Sequence, residues 1–208
     1  MRYFLLIFLL FFINSSLLSQ KYKPFEGTIF YDVYLQKSPD SLPERINYLT
    51  LHIKDSLVRT DTDSESFGGQ TTIKNLNRKR AYILLKSNDQ FYAIRHIETD
   101  SVGKDFSFKK LNKKAKLNGF QIKSVKRISA NGEIDTICYF PKINPVYLNI
   151  FSGIKGLPAE YRVPVNEKAV LIYQAIRIEE KELDPKLFSI PGFFKIITFD
   201  EFLLLQGK

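Results

Sequence analysis

After about residue 20, apolar and polar positions alternate along most of the chain, the period of a strand that buries one face. Over residues 28–35, Ile29, Tyr31, Val33 and Leu35 share one face, with Phe30 and Tyr34 on the other. Over 46–54, Leu49, Leu51 and Ile53 alternate with Tyr48, Thr50 and His52. Residues 56–61 and 70–76 predict two shorter strands, and the Asp-, Ser- and Gly-rich stretch 62–69 between them predicts a loop. Residues 81–86 and 90–97 predict a hairpin across Ser87, Asn88 and Asp89. A second hairpin is expected from 120–128 and 133–140 around Asn131-Gly132, because both residues of an Asn-Gly pair tolerate positive φ. Residues 169–179 form a long β-branched run. Helical pieces are few: 145–152, one turn at 185–188, and 200–205 with Asp200 as its cap. The expected fold is mainly β, a single curved antiparallel sheet with a few short helices, or else a closed barrel or sandwich.

The N-terminus follows a different pattern. Residues 3–13 are an unbroken apolar run of eleven after Arg2, and Asn14, Ser15, Ser16 and Ser19 follow. A positive start, a short apolar middle and a small-residue end are the parts of a secretory signal. Eleven residues fall short of the roughly 20 that a spanning helix needs. The reading is a signal peptide over 1–19 and one β-rich domain over 20–208, exported to the periplasm or cell envelope. An uncleaved anchor is the alternative.

Composition narrows this. One Cys and two His leave no disulfide and no multi-cysteine metal site. The formal net charge is +9 in 208 residues, but it is not spread evenly. Nine positive residues fall between Lys104 and Arg127 against Asp105 alone. That segment nets +8, which is also the net charge of the chain without residues 1–19 and their Arg2. Nucleic acid is an unsuitable partner for an exported chain whatever its charge. Lys109, Lys110, Lys113, Lys114 and Lys116 are candidates for meeting an anionic membrane surface or an envelope protein partner. The plainer alternative is a solvated loop or hairpin whose lysines guard an edge.

Catalytic signatures are absent: there is no Gly-x-Ser-x-Gly, no phosphate-cradling glycine loop and no His-Glu-x-x-His. No enzyme activity and no cofactor are expected. His52 and His96 sit on expected strands and could share a face, with no further metal ligands to name. Asp61-Thr62-Asp63 reads as a turn with solvated carboxylates, and Cys138 as a small buried strand residue. Aromatic residues are plentiful, 18 Phe and 11 Tyr with no Trp. Phe30, Tyr34, Tyr48, Tyr82 and Tyr92 could line an apolar cavity for a lipid or acyl ligand, or simply fill a core.

Several phrases occur in a recognisable order: Phe25-Glu26-Gly27-Thr28-Ile29, Leu51-His52-Ile53-Lys54-Asp55, Lys79-Arg80-Ala81-Tyr82 and Gly156-Leu157-Pro158-Ala159-Glu160-Tyr161. Together they resemble a family of uncharacterised exported Bacteroidetes proteins with a domain of unknown function, related to the GLPGLI family. The resemblance implies a fold like that of the lipoprotein carriers LolA and LolB, a half-barrel of antiparallel strands around a cavity for acyl chains. It implies no catalytic residues. It adds to the strand pattern the expectation of lipid binding, with a cell-envelope interaction module that has a filled core as the alternative.

Overall fold

The computed structural model describes residues 22, 24–64, 68–87, 89–96, 106–129, 134–151 and 153–206. The expected signal peptide, Lys104 and Asn131-Gly132 lie outside the described residues. Among the described residues, twelve strands form one sheet in the order β12-β6-β5-β4-β3-β2-β1-β11-β10-β9-β8-β7. The first meander is β1 (Gly27–Gln36), β2 (Glu44–Lys54), β3 (Leu57–Ser64), β4 (Gly68–Asn75), β5 (Arg80–Ser87) and β6 (Gln90–His96). The second is β7 (Phe106–Leu117), β8 (Phe120–Ser129), β9 (Ile134–Phe140), β10 (Leu157–Pro164) and β11 (Val170–Glu180). Antiparallel pairing of β1 with β11 joins the meanders. A short β12 (Lys195–Thr198) runs parallel to β6, and α1 (Phe199–Gln206), the one α-helix among the described residues, follows it. The fold is thus mainly β, one curved sheet, antiparallel except at β12.

Chain length requires the curvature. β6 and β7 follow one another in sequence but stand ten strand spacings apart in the sheet. That is about 48 Å on a flat sheet. The ten residue steps from His96 to Phe106 reach at most about 35 Å. The two ends of the sheet must therefore bend toward each other.

Alternation decides what lies inside the bend. Ile29, Tyr31 and Val33 of β1 are buried with Leu49, Leu51 and Ile53 of β2 and Val58 of β3. The second meander meets them with Val125, Ile137, Tyr139, Leu157, Ala159 and Tyr161. Between these walls sits the β9–β10 connection, which inserts Ile143, Tyr147, Phe151 and Ile154 into the same core. The concave face is filled. Tyr31 donates its buried hydroxyl to the Pro158 carbonyl at 2.8 Å, so burying this tyrosine leaves no orphaned polar atom. The opposite face of the first meander is covered by residues 181–194, whose Leu183 and Phe188 are buried with Ile73, Leu84 and Ala93.

Several expectations are corrected. The loop expected over 62–69 is narrower, because Thr62 pairs with Gln70 and Asp63 with Gly69 as β3 and β4 extend into it. Backbone pairing outweighs the loop-like composition there. His52 and His96 point to opposite faces: the register runs His52, Arg59, Ile73, Tyr82, Arg95 across five strands, which leaves His96 one residue out of phase. The expected 145–152 helix is only a 3-10 turn, Pro145–Tyr147. α1 is capped by Thr198 and not by Asp200. Thr198 N–H donates to Glu201 Oε2 (2.7 Å) and Glu201 N–H to Thr198 Oγ1 (3.2 Å), a reciprocal capping box.

Candidate functional site

A cavity with an aromatic lining lies where the two ends of the sheet meet. β10 pairs with β11 only as far as Gln174, so the stretch from Ala175 to Glu180 has β1 on one side and no strand on the other. The β7–β8 hairpin tip folds onto that open side. Asn118 and Gly119 take φ values of 46° and 83°, the left-handed pair a tight hairpin turn needs. The Asn118 side-chain oxygen then accepts the Ile178 N–H at 3.1 Å. Gly27 makes the approach of β1 to β11 possible: at φ 152° a Cβ there would sit 2.0 Å from the Glu179 carbonyl oxygen.

Under this closure is a cavity of about 490 Å³, lined by Pro24, Phe25, Lys116, Gly119, Phe120, Gln121, Phe140, Lys142, Ile143 and Glu180. Phe120 meets Phe25 edge-on at 6.0 Å and Phe140 at 6.5 Å, giving an aromatic wall. Lys116 and Lys142 are exposed at the lining and form no ion pair with a described residue. An apolar wall with two ammonium groups against the single carboxylate of Glu180 suits an amphiphile with an anionic head. On the other side of Pro24 and Phe25 is a second cavity of about 420 Å³, where Glu26, Asp55, Glu180 and Glu182 outnumber Lys181. Glu26 also fixes this corner. Its carboxylate accepts from Lys54 Nζ (2.5 Å) and from Leu183 N–H (2.8 Å), and these two donors hold its pKa below the usual carboxylate value.

A separate polar network crosses the opposite face of the first meander. Thr28 Oγ1 lies 3.0 Å from His52 Nδ1, and His52 Nε2 lies 3.4 Å from Asp61 Oδ2. Asp61 also accepts from Arg59 at 2.8 Å and from Thr71 at 2.6 Å. Burial would push its carboxyl up, but the bonds from His52, Arg59 and Thr71 outweigh burial and hold it well below the usual range. This corrects the expected solvated turn: Asp61 stands mid-strand at the centre of a network. Hydroxyl, imidazole and carboxylate stand in the order of a hydrolytic triad, but Thr28 is 1% exposed and no substrate reaches its hydroxyl in this structure. The network's other outlet is structural, since Arg59 donates to the Leu187 carbonyl at 2.9 Å and ties the 181–194 strap to the sheet.

The residues singled out from the sequence are dispersed. Phe30 lies under the Arg177 guanidinium at 3.9 Å. Tyr34 donates to Asp32 at 3.2 Å. Tyr48 is 49% exposed with Arg45 over its ring. Tyr82 packs under the strap with Ile73 and Leu84, while Tyr92 points to the other face, against Phe202 of α1. None of the five lines the cavities described here. Of the five lysines, Lys116 lines the large cavity and Lys110 borders a small one of about 90 Å³ beside Phe108 and Tyr139. Lys109 stands opposite Lys126, Lys114 is at the register position of Lys123, and Lys113 falls in the β-bulge between Leu111 and Lys114. Cys138 is half-buried, 3.4 Å from Ser124 Oγ, and burial pushes its thiol up, away from reactivity. Sequence reading missed Phe25, Phe120, Phe140, Ile143 and Lys142. Asn118-Gly119 carried the same turn signal as Asn131-Gly132 and would have placed the tip.

Among the described residues, no group of three or more His, Cys, Asp or Glu side chains could hold a metal ion. No described helix is long and apolar enough to cross a membrane. No family model matches the chain, and no curated protein matches it.

Proposed function

We propose that this chain is an exported cell-envelope protein that binds a small anionic amphiphile in the 490 Å³ cavity at the β7–β8 tip. The carrying observation is the joining of an aromatic wall to two lysines, Lys116 and Lys142, that outnumber the one carboxylate of the lining, Glu180. Acyl methylenes would lie against Phe25, Phe120, Phe140 and Ile143, each gaining about 0.8 kcal/mol on leaving water. The anionic head would meet Lys116 and Lys142. The N-terminal pattern and the resemblance to a family of exported proteins support the location, and the carrier-like fold which that resemblance implies supports the ligand class.

Dodecanoate is the probe, titrated by calorimetry into protein purified without detergent, with native mass spectrometry as the second readout. One bound chain is expected. Dodecanol should bind about tenfold more weakly for want of the charged contact. Gln121→Trp, which fills the cavity from its wall, should abolish uptake. A clean apo mass with no heat of binding would sink this reading. It would favour the second, an envelope interaction module without a small ligand, which has its own support in the filled concave face.

A further inference from the structure

The β7–β8 hairpin carries its charge in an arrangement that its own stability does not explain. Residues 106–129 contain no Asp or Glu. Arg127 is neutralised by Asp135 and stacked on Phe106 and Phe151. Lys109, Lys110, Lys113, Lys116, Lys123 and Lys126 are exposed and form no ion pair with a described residue. Lys109 and Lys126 stand directly across the ladder from each other. Like charges in that position repel, so a chain selected for stability alone would place a carboxylate at one of them.

The lysines occupy both faces of the hairpin. Lys126 shares a face with Ser124, while Lys110 lies across from Val125 on the other. An edge-on approach to an extended anionic plane brings both sets near it, whereas no single pocket gathers them. β7 is the terminal strand of the sheet. Its bulge between Leu111 and Lys114 and its run of lysines oppose the addition of a partner strand. The cavity opens at the tip of the same hairpin.

We infer that the β7 edge docks on a lipid surface bearing anionic headgroups, and so presents the hairpin tip to the bilayer. This inference stands apart from ligand binding in the cavity, and its test uses residues outside the cavity lining. Full-length protein is co-sedimented with vesicles of phosphatidylcholine alone and of phosphatidylcholine mixed with phosphatidylglycerol. Binding is expected to the mixed vesicles only, and to fall as salt is raised. Lys126→Glu, which turns the opposed pair into an attractive one, should weaken partitioning about tenfold or more, because it removes one positive charge and adds a negative one. Its melting temperature should be unchanged or higher, which separates lost docking from lost folding. Lys126→Arg should bind vesicles as the parent does. Equal binding to neutral vesicles overturns the inference, as does full binding by Lys126→Glu. Capture by polyglutamate with no vesicle partitioning also overturns it, in favour of an acidic protein partner.

Discussion

Asp61, in the first meander, takes hydrogen bonds from Arg59 and Thr71, has His52 at 3.4 Å, and stands in a chain that reaches the strap through Leu187. In the β7–β8 hairpin, six exposed lysines meet no carboxylate and two of them face each other. Both regions are antiparallel strands of the same sheet. In the first, Asp61 is satisfied by Arg59 and Thr71 with His52 beside it, and the network ties two layers together. In the second, Arg127 is the one cation paired among the described side chains, through Asp135. The difference teaches that the net positive charge of this protein is concentrated at one edge, and that this edge tolerates two lysines directly across the ladder from each other.

Breaking the paired charges should cost most. Asp135→Ala leaves Arg127 beside the core with no counter-ion, and a loss of about 3 kcal/mol in urea unfolding is expected. Asp61→Ala should cost about 2 kcal/mol, less because its site is more open to water, and it should free the strap to faster hydrogen exchange around Leu187. The pH dependence has a definite sign. The folded state holds the Asp61 carboxyl below its unfolded value of about 3.9, so this contribution is complete above roughly pH 5 and is lost as pH falls through the unfolded value toward the folded one. Asp61→Asn should therefore flatten the acid limb of a stability–pH curve, and an unchanged limb would show that Asp61 does not carry it. The smallest effect has the opposite sign: Lys126→Glu should stabilise by a few tenths of a kcal/mol, read as a higher urea midpoint. A loss there instead would mean that the lysine pair is not in conflict, and the contrast between the two regions would fail.

The strands were legible wherever alternation was clean. Ile29, Tyr31 and Val33 read as one buried face, and they are. β7 was not legible as a strand, because its lysines break the apolar–polar alternation that an edge strand can do without. Asp61 misread as a turn because Asp61 and Asp63 are of a type that strands disfavour, whereas the donors that satisfy the Asp61 carboxylate, Arg59 and Thr71, are set by the folded sheet. The aromatic residues were visible but not their destinations. Tyr82 and Tyr92 differ by ten positions and would share a face on one unbroken strand, but the β5–β6 turn places them on opposite faces.

The sequence by itself determined the mainly β class, most of the strands and the concentration of positive charge between residues 104 and 127, because alternation, turn residues and charge are local properties. Tertiary structure alone decided that the concave face is filled by Ile143, Tyr147, Phe151 and Ile154, and that the cavity lies at the hairpin tip. Those outcomes depend on Asn118 meeting Ile178, sixty residues later, and on Gly27 admitting the Glu179 carbonyl. Contacts of that range are set by how the whole sheet closes on itself, and no window of the chain contains both partners.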